Sequence, residues 1–345
     1  MPWYFPILLP FSWGWSAVLS ARHKLYDSGV LKSQKGVIKT VVIGNLELGG
    51  TGKSQLTMLL AELIGKEKKV AILSRGYGRS TSGYVEVEFN SNSSEVGDEP
   101  LMFKRRLPKM VVSVCEDRLD GLKQIKERHP EIELALLDDA FQHRSLNADL
   151  SILVTAFQNP YFNDYVLPAG RLRDLKSRAK SADLLVVTGS QLDSDGRNIE
   201  AFVTDCGHWN KEDLFFTNST PDKPRSLDIE DSGFAKKAHL ISGIARSERF
   251  EITASEMFEV VGHLALPDHR QFSDKELSAL RKKLDIFDPS DVSVLMTEKD
   301  AARADHHLLK MVIHPYQIFY LPLKMVMERK DDLHKKIIDH VFGKN

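Results

Sequence analysis

From residue 38 onward, short aliphatic and β-branched runs alternate with longer stretches whose apolar residues recur at helical spacing. This is the rhythm of βαβ units. The pattern predicts strands at Thr40–Ile43, Val70–Leu73, Met110–Val114, Leu134–Asp138, Ser151–Val154 and Leu184–Thr188, with helices that include Ser54–Gly65 and Arg118–Arg128. Strands this continuously apolar call for a parallel sheet covered on both faces. Two segments break the rhythm, the Ser-, Asn- and Gly-rich Ser80–Glu99 and the basic Pro168–Lys180, and both read as loops over a site. Pro, Ser and Asn collect in Phe216–Leu227, which predicts a domain boundary. A second, smaller α/β rhythm follows, with strands at His239–Ile244, Ser293–Thr297 and Gln317–Leu321 and helices near Ser247–Phe258 and Asp274–Leu284. A final amphipathic helix is expected between Glu328 and Phe342.

The amino terminus departs from this pattern. Three of the four tryptophans, at positions 3, 13 and 15, fall within the first fifteen residues, and no charge occurs from Trp3 to Leu19. That run holds seventeen residues and contains Pro6 and Pro10, whereas a spanning helix needs ~20 apolar residues. A secretory signal fits poorly, because no Lys or Arg precedes the apolar run and no clear cleavage site follows it. Trp and Tyr favour the headgroup level, and Arg22, His23 and Lys24 follow where they could meet anionic lipid. Residues 1–30 are therefore expected to form an interfacial, membrane-associated helix, with an amphipathic helix folded on the core as the plainer alternative.

Composition narrows the class. A 345-residue chain exceeds a typical domain of ~100–200 residues, so two domains are expected. With 42% hydrophobic and 28% charged residues, wholesale disorder and a multi-span membrane protein are excluded. Lys+Arg (47) nearly cancels Asp+Glu (48), so no global field draws nucleic acid and none is expected as a partner. Two cysteines, Cys115 and Cys206, exclude a disulfide framework and a four-thiolate zinc site, and suit a reducing cytoplasm.

The strongest chemical signal is IGNLELGGTGKS, residues 43–54, between a predicted strand and a predicted helix. A Gly-rich turn lets successive backbone N–H groups surround a phosphate while the helix adds its positive end. Lys53 would reach the β/γ oxygens and Ser54 would serve Mg²⁺. Glu47 stands where the standard pattern has its first Gly, and Gly49-Gly50 are expected to supply the needed freedom. A phosphate-binding loop needs an acid at a neighbouring strand tip, and Asp138-Asp139 end the run Leu134–Leu137. One would bind Mg²⁺ directly or through water, and the other could orient a water or a substrate hydroxyl. The expected core is thus a P-loop NTPase-type, doubly wound, mostly parallel sheet over residues 31–218, with a smaller α/β domain over 219–345.

Three further stretches narrow the use of the nucleotide. LSRGYGR, residues 73–79, sets Arg75 and Arg79 on a Gly-rich loop as a fork for a second phosphate. SEVGDEP, residues 94–100, places Asp98 and Glu99 side by side ahead of a helix start at Pro100. LPAGRLRDLKSRAK, residues 167–180, adds five cations. Each alone reads as a solvated loop; together, in one domain with a P-loop, they point to a phosphate-rich site.

GNLELGGTGKS, SRGYGR, VGDEP, DDAFQHR, PAGRLRD, LPDHRQF and TEKDAAR occur in the order found in the tetraacyldisaccharide 4'-kinases of lipid A biosynthesis, which the chain resembles over nearly its whole length. The resemblance implies an ATP- and Mg²⁺-dependent kinase acting on the 4'-hydroxyl of a tetraacyldisaccharide 1-phosphate, yielding lipid IVA. It implies a nucleotide cradle of Leu48, Gly49, Gly50, Thr51, Gly52, Lys53, Ser54 and Gln55, and metal-side groups among Ser54, Glu99, Asp138 and Asp139. Asp98 corresponds to the base and His269 to its partner, with Asp139 and Lys53 also in the catalytic set. Arg75, Arg79, Gln142, His143, Arg171 and Arg173 would lie toward the substrate. The implied enzyme is a monomer at the cytoplasmic face of the inner membrane, peripheral or monotopic.

Three positions depart from the family's usual pattern: Ala140 replaces Gly, Asp174 replaces Glu, and Arg270 stands where a second His is frequent. Ala140 questions a left-handed backbone there, and Asp174 is one methylene shorter for any nucleotide contact. The alternatives to a lipid kinase are a P-loop ligase or metallochaperone-type GTPase, and a membrane-recruited scaffold. Against these, no Cys- or His-rich delivery motif is present, and Lys53, Ser54, Asp98 and Asp139 are all intact.

Overall fold

The computed structural model describes residues 5–190, 196–227, 233–244, 247–267, 270 and 272–343. Its centre is a nine-stranded sheet in the order Leu323–Met327, Leu214–Pro221, Leu184–Thr188, Leu150–Ala156, Lys39–Gly44, Leu134–Asp138, Val70–Ser74, Val111–Val114 and Val85–Glu86. The seven inner strands run parallel and the two edges antiparallel. Successive residues of each strand feed opposite layers, as period-2 side-chain alternation requires. Val41, Ile43, Ile72, Leu134 and Ile152 pack on one face with Leu56, Leu60 and Phe103, whereas Val42, Leu73, Leu137 and Leu153 pack on the other with Leu122, Ile125 and Phe202. Helices therefore cover both faces, which is why these strands read as unbroken apolar runs.

A five-stranded sheet follows, ordered Arg225–Ser226, Ile318–Leu321, Val292–Thr297, Lys237–Ser242 and Glu259–Ala265, parallel except at the first pair. The strand Glu259–Ala265 was not expected; its β-branched residues lie directly after the helix Ser247–Ser255, and the sequence reading let the helix run on to Phe258.

The segment expected as a boundary, Phe216–Leu227, instead contains most of the strand Leu214–Pro221, with a break only at its end. The chain also returns. Leu323–Met327 pairs antiparallel with Leu214–Pro221, from Thr217 opposite Met327 to Pro221 opposite Leu323. The helix Lys330–Phe342 then lays Leu333, Ile337 and Val341 on the larger core. Residues 323–342 thus complete the first sheet and depart from the expected 219–345 unit, because a buried stripe at four-residue spacing follows whichever apolar surface is open to it.

The amino-terminal helix Phe5–Asp27 spans 23 residues, and no helix among the described residues is long and apolar enough to cross a membrane. It buries only Ser12, Leu19 and His23. Ile7, Phe11, Trp13, Trp15 and Val18 face outward, with Phe11 and Trp13 about two-thirds exposed at 66% and 67%.

Candidate active site

The phosphate-binding loop leaves the strand Lys39–Gly44 and enters the helix Lys53–Ile64, as expected within one residue. Its backbone turns through the left-handed region at Gly49 (φ 102°) and Gly52 (φ 86°), conformations that side chains rarely adopt. Strand pairing sets Ile43 opposite Asp138, so the two carboxylates at the tip of Leu134–Asp138 stand beside the loop. The left-handed residue there is Asp139 (φ 49°), and Asp tolerates it. Ala140 carries no such burden.

A polar network ties these elements together. Lys53 Nζ donates to Asn45 Oδ1 at 3.1 Å and lies 3.6 Å from Asp139 Oδ1. Arg173 donates to Asp139 Oδ2 at 3.0 Å and to Asn45 Oδ1 at 2.6 Å, and Gln142 Nε2 donates to the Asn45 carbonyl at 2.7 Å. Asn45 Nδ2 in turn donates to Thr51 Oγ1 at 2.9 Å, bracing the far side of the loop. Ser54 Oγ donates to Glu99 Oε1 at 3.0 Å, and Thr57 Oγ1 donates to Asp138 Oδ1 at 3.1 Å. Asn45 and Thr57 were missed by sequence reasoning, although Thr57 lies one helical turn beyond Lys53.

Neighbouring carboxylates are driven in opposite directions. Burial, then the charges of Glu99 and Asp139, push the Asp138 carboxyl up to about 7. Burial also opposes ionisation of Asp139, but the Arg173 hydrogen bond and the charges of Lys53, Arg173 and Arg118 outweigh it and hold that carboxyl below its ordinary value. Such divergence of paired acids marks a site where charge is handled. The Ser54, Glu99, Asp138 and Asp139 donors are all oxygen, the preference of Mg²⁺. Among the described residues no group of three or more His, Cys, Asp or Glu could hold a metal by itself.

The PAGRLRD loop is bonded onto the phosphate-binding loop as a ribbon. Leu48 N donates to the Arg171 carbonyl and Arg173 N to the Leu46 carbonyl, each at 2.8 Å. Arg171 itself pairs with Asp164, Nε to Oδ2 at 2.9 Å. Glu47, buried at 2% exposure, accepts from Thr155 Oγ1 at 2.9 Å, and burial raises its carboxyl to about 7. Glu47 is therefore a strut between loop and sheet rather than a misplaced glycine.

Asp98 opens the helix Asp98–Arg106 two residues earlier than expected, and Arg303 NH1 lies 3.6 Å from its Oδ2. Arg75 is exposed, whereas Arg79 is committed elsewhere: it pairs with Glu116 and donates to the Gly83 carbonyl at 2.6 Å. Its guanidinium is thus clasped on its own loop. Arg118, which the sequence reading passed over as a helix start, is 2% exposed and lies in the field of Asp138, Arg75 and Asp139. Burial, followed by the charges of Arg118, Arg75 and Arg22, lowers the His143 imidazole below its usual value. His269 lies outside the described residues. Arg270 pairs with Glu276 at 2.8 Å.

The amino-terminal helix touches this machinery directly. His23 Nε2 donates to Asp174 Oδ1 at 2.6 Å inside the protein, while Nδ1 accepts from Arg144 at 3.2 Å. Arg22 donates to the Gln142 carbonyl at 3.2 Å, and Ala169 N donates to Ser12 Oγ at 2.9 Å. Asp174 is thus turned to the helix, 1% exposed, and not to a nucleotide. Cys115 and Cys206 are both buried, so metal delivery by thiols has no surface to act from.

Known proteins resemble this chain over most of its length. The sequence profile described as tetraacyldisaccharide-1-P 4'-kinase matches residues 4–342. A tetraacyldisaccharide 4'-kinase of Flavobacterium psychrophilum is 33% identical over 97% of this chain and 96% of its own. That of Cytophaga hutchinsonii is 35% identical over 85% and 84%. The crystal structure of LpxK from Aquifex aeolicus in complex with ATP superposes with a TM-score of 0.75 at 29% identity, covering 96% of this chain and 98% of that one. The chain belongs to the tetraacyldisaccharide 4'-kinase family.

Proposed function

We propose that the protein transfers the γ-phosphoryl group of ATP to the 4'-hydroxyl of tetraacyldisaccharide 1-phosphate, forming lipid IVA at the cytoplasmic face of the inner membrane. The observation that carries this reading is a juxtaposition: Lys53, Ser54, Asp138, Asp139 and Glu99 converge at one sheet edge, and the helix pinned to the same loops turns Phe11, Trp13, Trp15 and Val18 outward. The Gly49–Gly52 amides and Lys53 cradle the triphosphate. Mg²⁺ would be held by Ser54 with Asp138, Asp139 or Glu99, and would neutralise charge on the phosphates. Asp98 accepts the 4'-hydroxyl proton as that oxygen bonds to the γ-phosphorus and the bond to the bridging oxygen breaks, releasing ADP. Arg173 keeps Asp139 ionised and aimed at Lys53. Arg75 and Arg22, with the buried Arg118 behind them, supply positive charge suited to the lipid's own phosphate.

A four-chain lipid does not leave its leaflet, because each CH₂ moved to water costs ~0.8 kcal/mol. The enzyme must reach the surface, and the apolar side of Phe5–Asp27 fits an interfacial position rather than a spanning one. One chain carries all of these groups, so a monomer suffices. The test is transfer of label from γ-labelled ATP, with Mg²⁺, to detergent-dispersed disaccharide 1-phosphate. Label in the lipid fraction with the native protein and none with Lys53→Ala is expected; label appearing only as free phosphate would refute the reading.

A further inference from the structure

Resting on the reading of Asp98 as proton acceptor, we propose that Arg303, from the smaller unit, is a positioning residue that orients the Asp98 carboxylate for the sugar hydroxyl. Arg303 closes the helix Glu298–Arg303 in TEKDAAR and is 3% exposed. Its NH2 donates to Asp300 Oδ1 and to the Gly243 carbonyl. Asp300 is itself immobile: it accepts from Gly243 N at 3.0 Å and from Thr297 Oγ1 at 2.6 Å. The guanidinium plane is thereby set from behind. Among the described residues neither NH1 nor Nε has a hydrogen-bond partner, and NH1 lies 3.6 Å from Asp98 Oδ2.

Burying a guanidinium whose donors are not all bonded is costly, and nearby negative charge offsets that cost. Asp300 and Asp98 supply that charge. Gly243 leaves the room required, since a Cβ there would fall 2.5 Å from Arg303 NH2. The same helix meets Asp98–Arg106 at three further points: Glu298 pairs with Arg106 at 3.0 Å, Arg105 NH1 donates to the Ala301 carbonyl at 2.9 Å, and Lys299 Nζ lies 3.9 Å from Glu99. The Arg105 and Arg106 contacts seat one helix on the other, whereas those of Arg303 and Lys299 fall on the adjacent acids Asp98 and Glu99. The fork geometry explains why Arg serves, because it can hold Asp300 and Asp98 with different nitrogens while a Lys offers a single one.

The test is a kinetic double-mutant cycle on the full chain, using ATP and dispersed disaccharide 1-phosphate. Arg303→Met should lower kcat by roughly 10², the cost typical of a mispositioned catalytic group, with KM for ATP unchanged. Arg303→Lys should recover part of the loss. Asp98→Asn combined with Arg303→Met should be no slower than Asp98→Asn alone, because an acceptor already lost cannot be mispositioned. Native kcat in Arg303→Met, or losses that multiply in the double variant, overturns the proposal. If Arg303→Met fails to fold, Asp300→Asn, which removes the anchor with little change in shape, is read in the same cycle against the same outcomes. Asp98→Asn with native kcat sinks the proton-acceptor reading itself, whereas a dead Asp98→Asn beside a fully active Arg303→Met sinks only the role of Arg303.

Discussion

Lys53, set between the Asn45 amide and the Asp139 carboxylate, has its ammonium already oriented toward the loop it must serve. Such preorganisation is what electrostatic catalysis needs, because little has to move when charge develops. Asp98 has a different duty, and Asp98→Ala should lower kcat by at least ~10² with little change in ATP affinity, as follows from loss of a positioned base; an unchanged kcat would remove it from that role. Glu47 makes a prediction about pH. Its carboxyl sits near 7 in the folded protein against an ordinary 4.5, because of burial. The native state therefore keeps a proton that the unfolded chain releases, so this stabilisation is complete below the unfolded value and lost as pH rises through the folded one. Glu47→Gln abolishes the titration, and its stability relative to the native protein should rise between about pH 5 and about pH 8 in denaturant titrations. A difference that does not vary with pH would contradict the burial argument. Of these residues, Lys53, Ser54 and Asp139 were readable from the spacing of loop and strand, and Asp98 from the family resemblance of its motif. Asn45, Arg118 and Arg303 were not, since their partners lie across the sheet or on another unit.

At the scale of elements, the helix Glu298–Arg303 seats the smaller unit on Asp98–Arg106 through Arg106 and Glu298, both about nine-tenths buried at 10% and 11% side-chain exposure. Arg106→Leu alone strands a buried carboxylate and should cost ~3–5 kcal/mol in chemical denaturation. Adding Glu298→Leu should recover most of that loss; a double variant as unstable as the single would show that the pair is incidental. On the proposed reading the amino-terminal helix has two duties. Deleting residues 1–24 should weaken vesicle partitioning, and should also lower turnover on dispersed lipid, because Asp174 loses His23 and the Arg173 loop loses its support. Full turnover with lost partitioning would mean that the helix is only an anchor. Nearly every inner strand was readable as an apolar run. The strand Leu214–Pro221 was not, because its second half, with Asn218, Ser219 and Pro221, faces the edge of the sheet and carries polar residues. Nor was the antiparallel return of Leu323–Met327, because a pairing between segments about a hundred residues apart leaves no local trace.

At the scale of the molecule, nucleotide chemistry is built at the carboxyl edge of one sheet, a second unit reaches that edge from above, and an apolar helix is pinned beside it. On the proposed reading, this arrangement serves a soluble nucleotide and a membrane-bound sugar at one edge without extracting the lipid. Fold, loop and substrate chemistry were carried by motif order, whereas the way in which three parts share one site emerged only from the packing. The central claim is the destination of the phosphoryl group. Mass analysis and proton–phosphorus correlation NMR of the lipid recovered after reaction with ATP address it most directly. One added phosphate attached at the 4' position is predicted, absent when Lys53→Ala replaces the native protein; an unphosphorylated lipid, or a phosphate at any other position, would contradict the account.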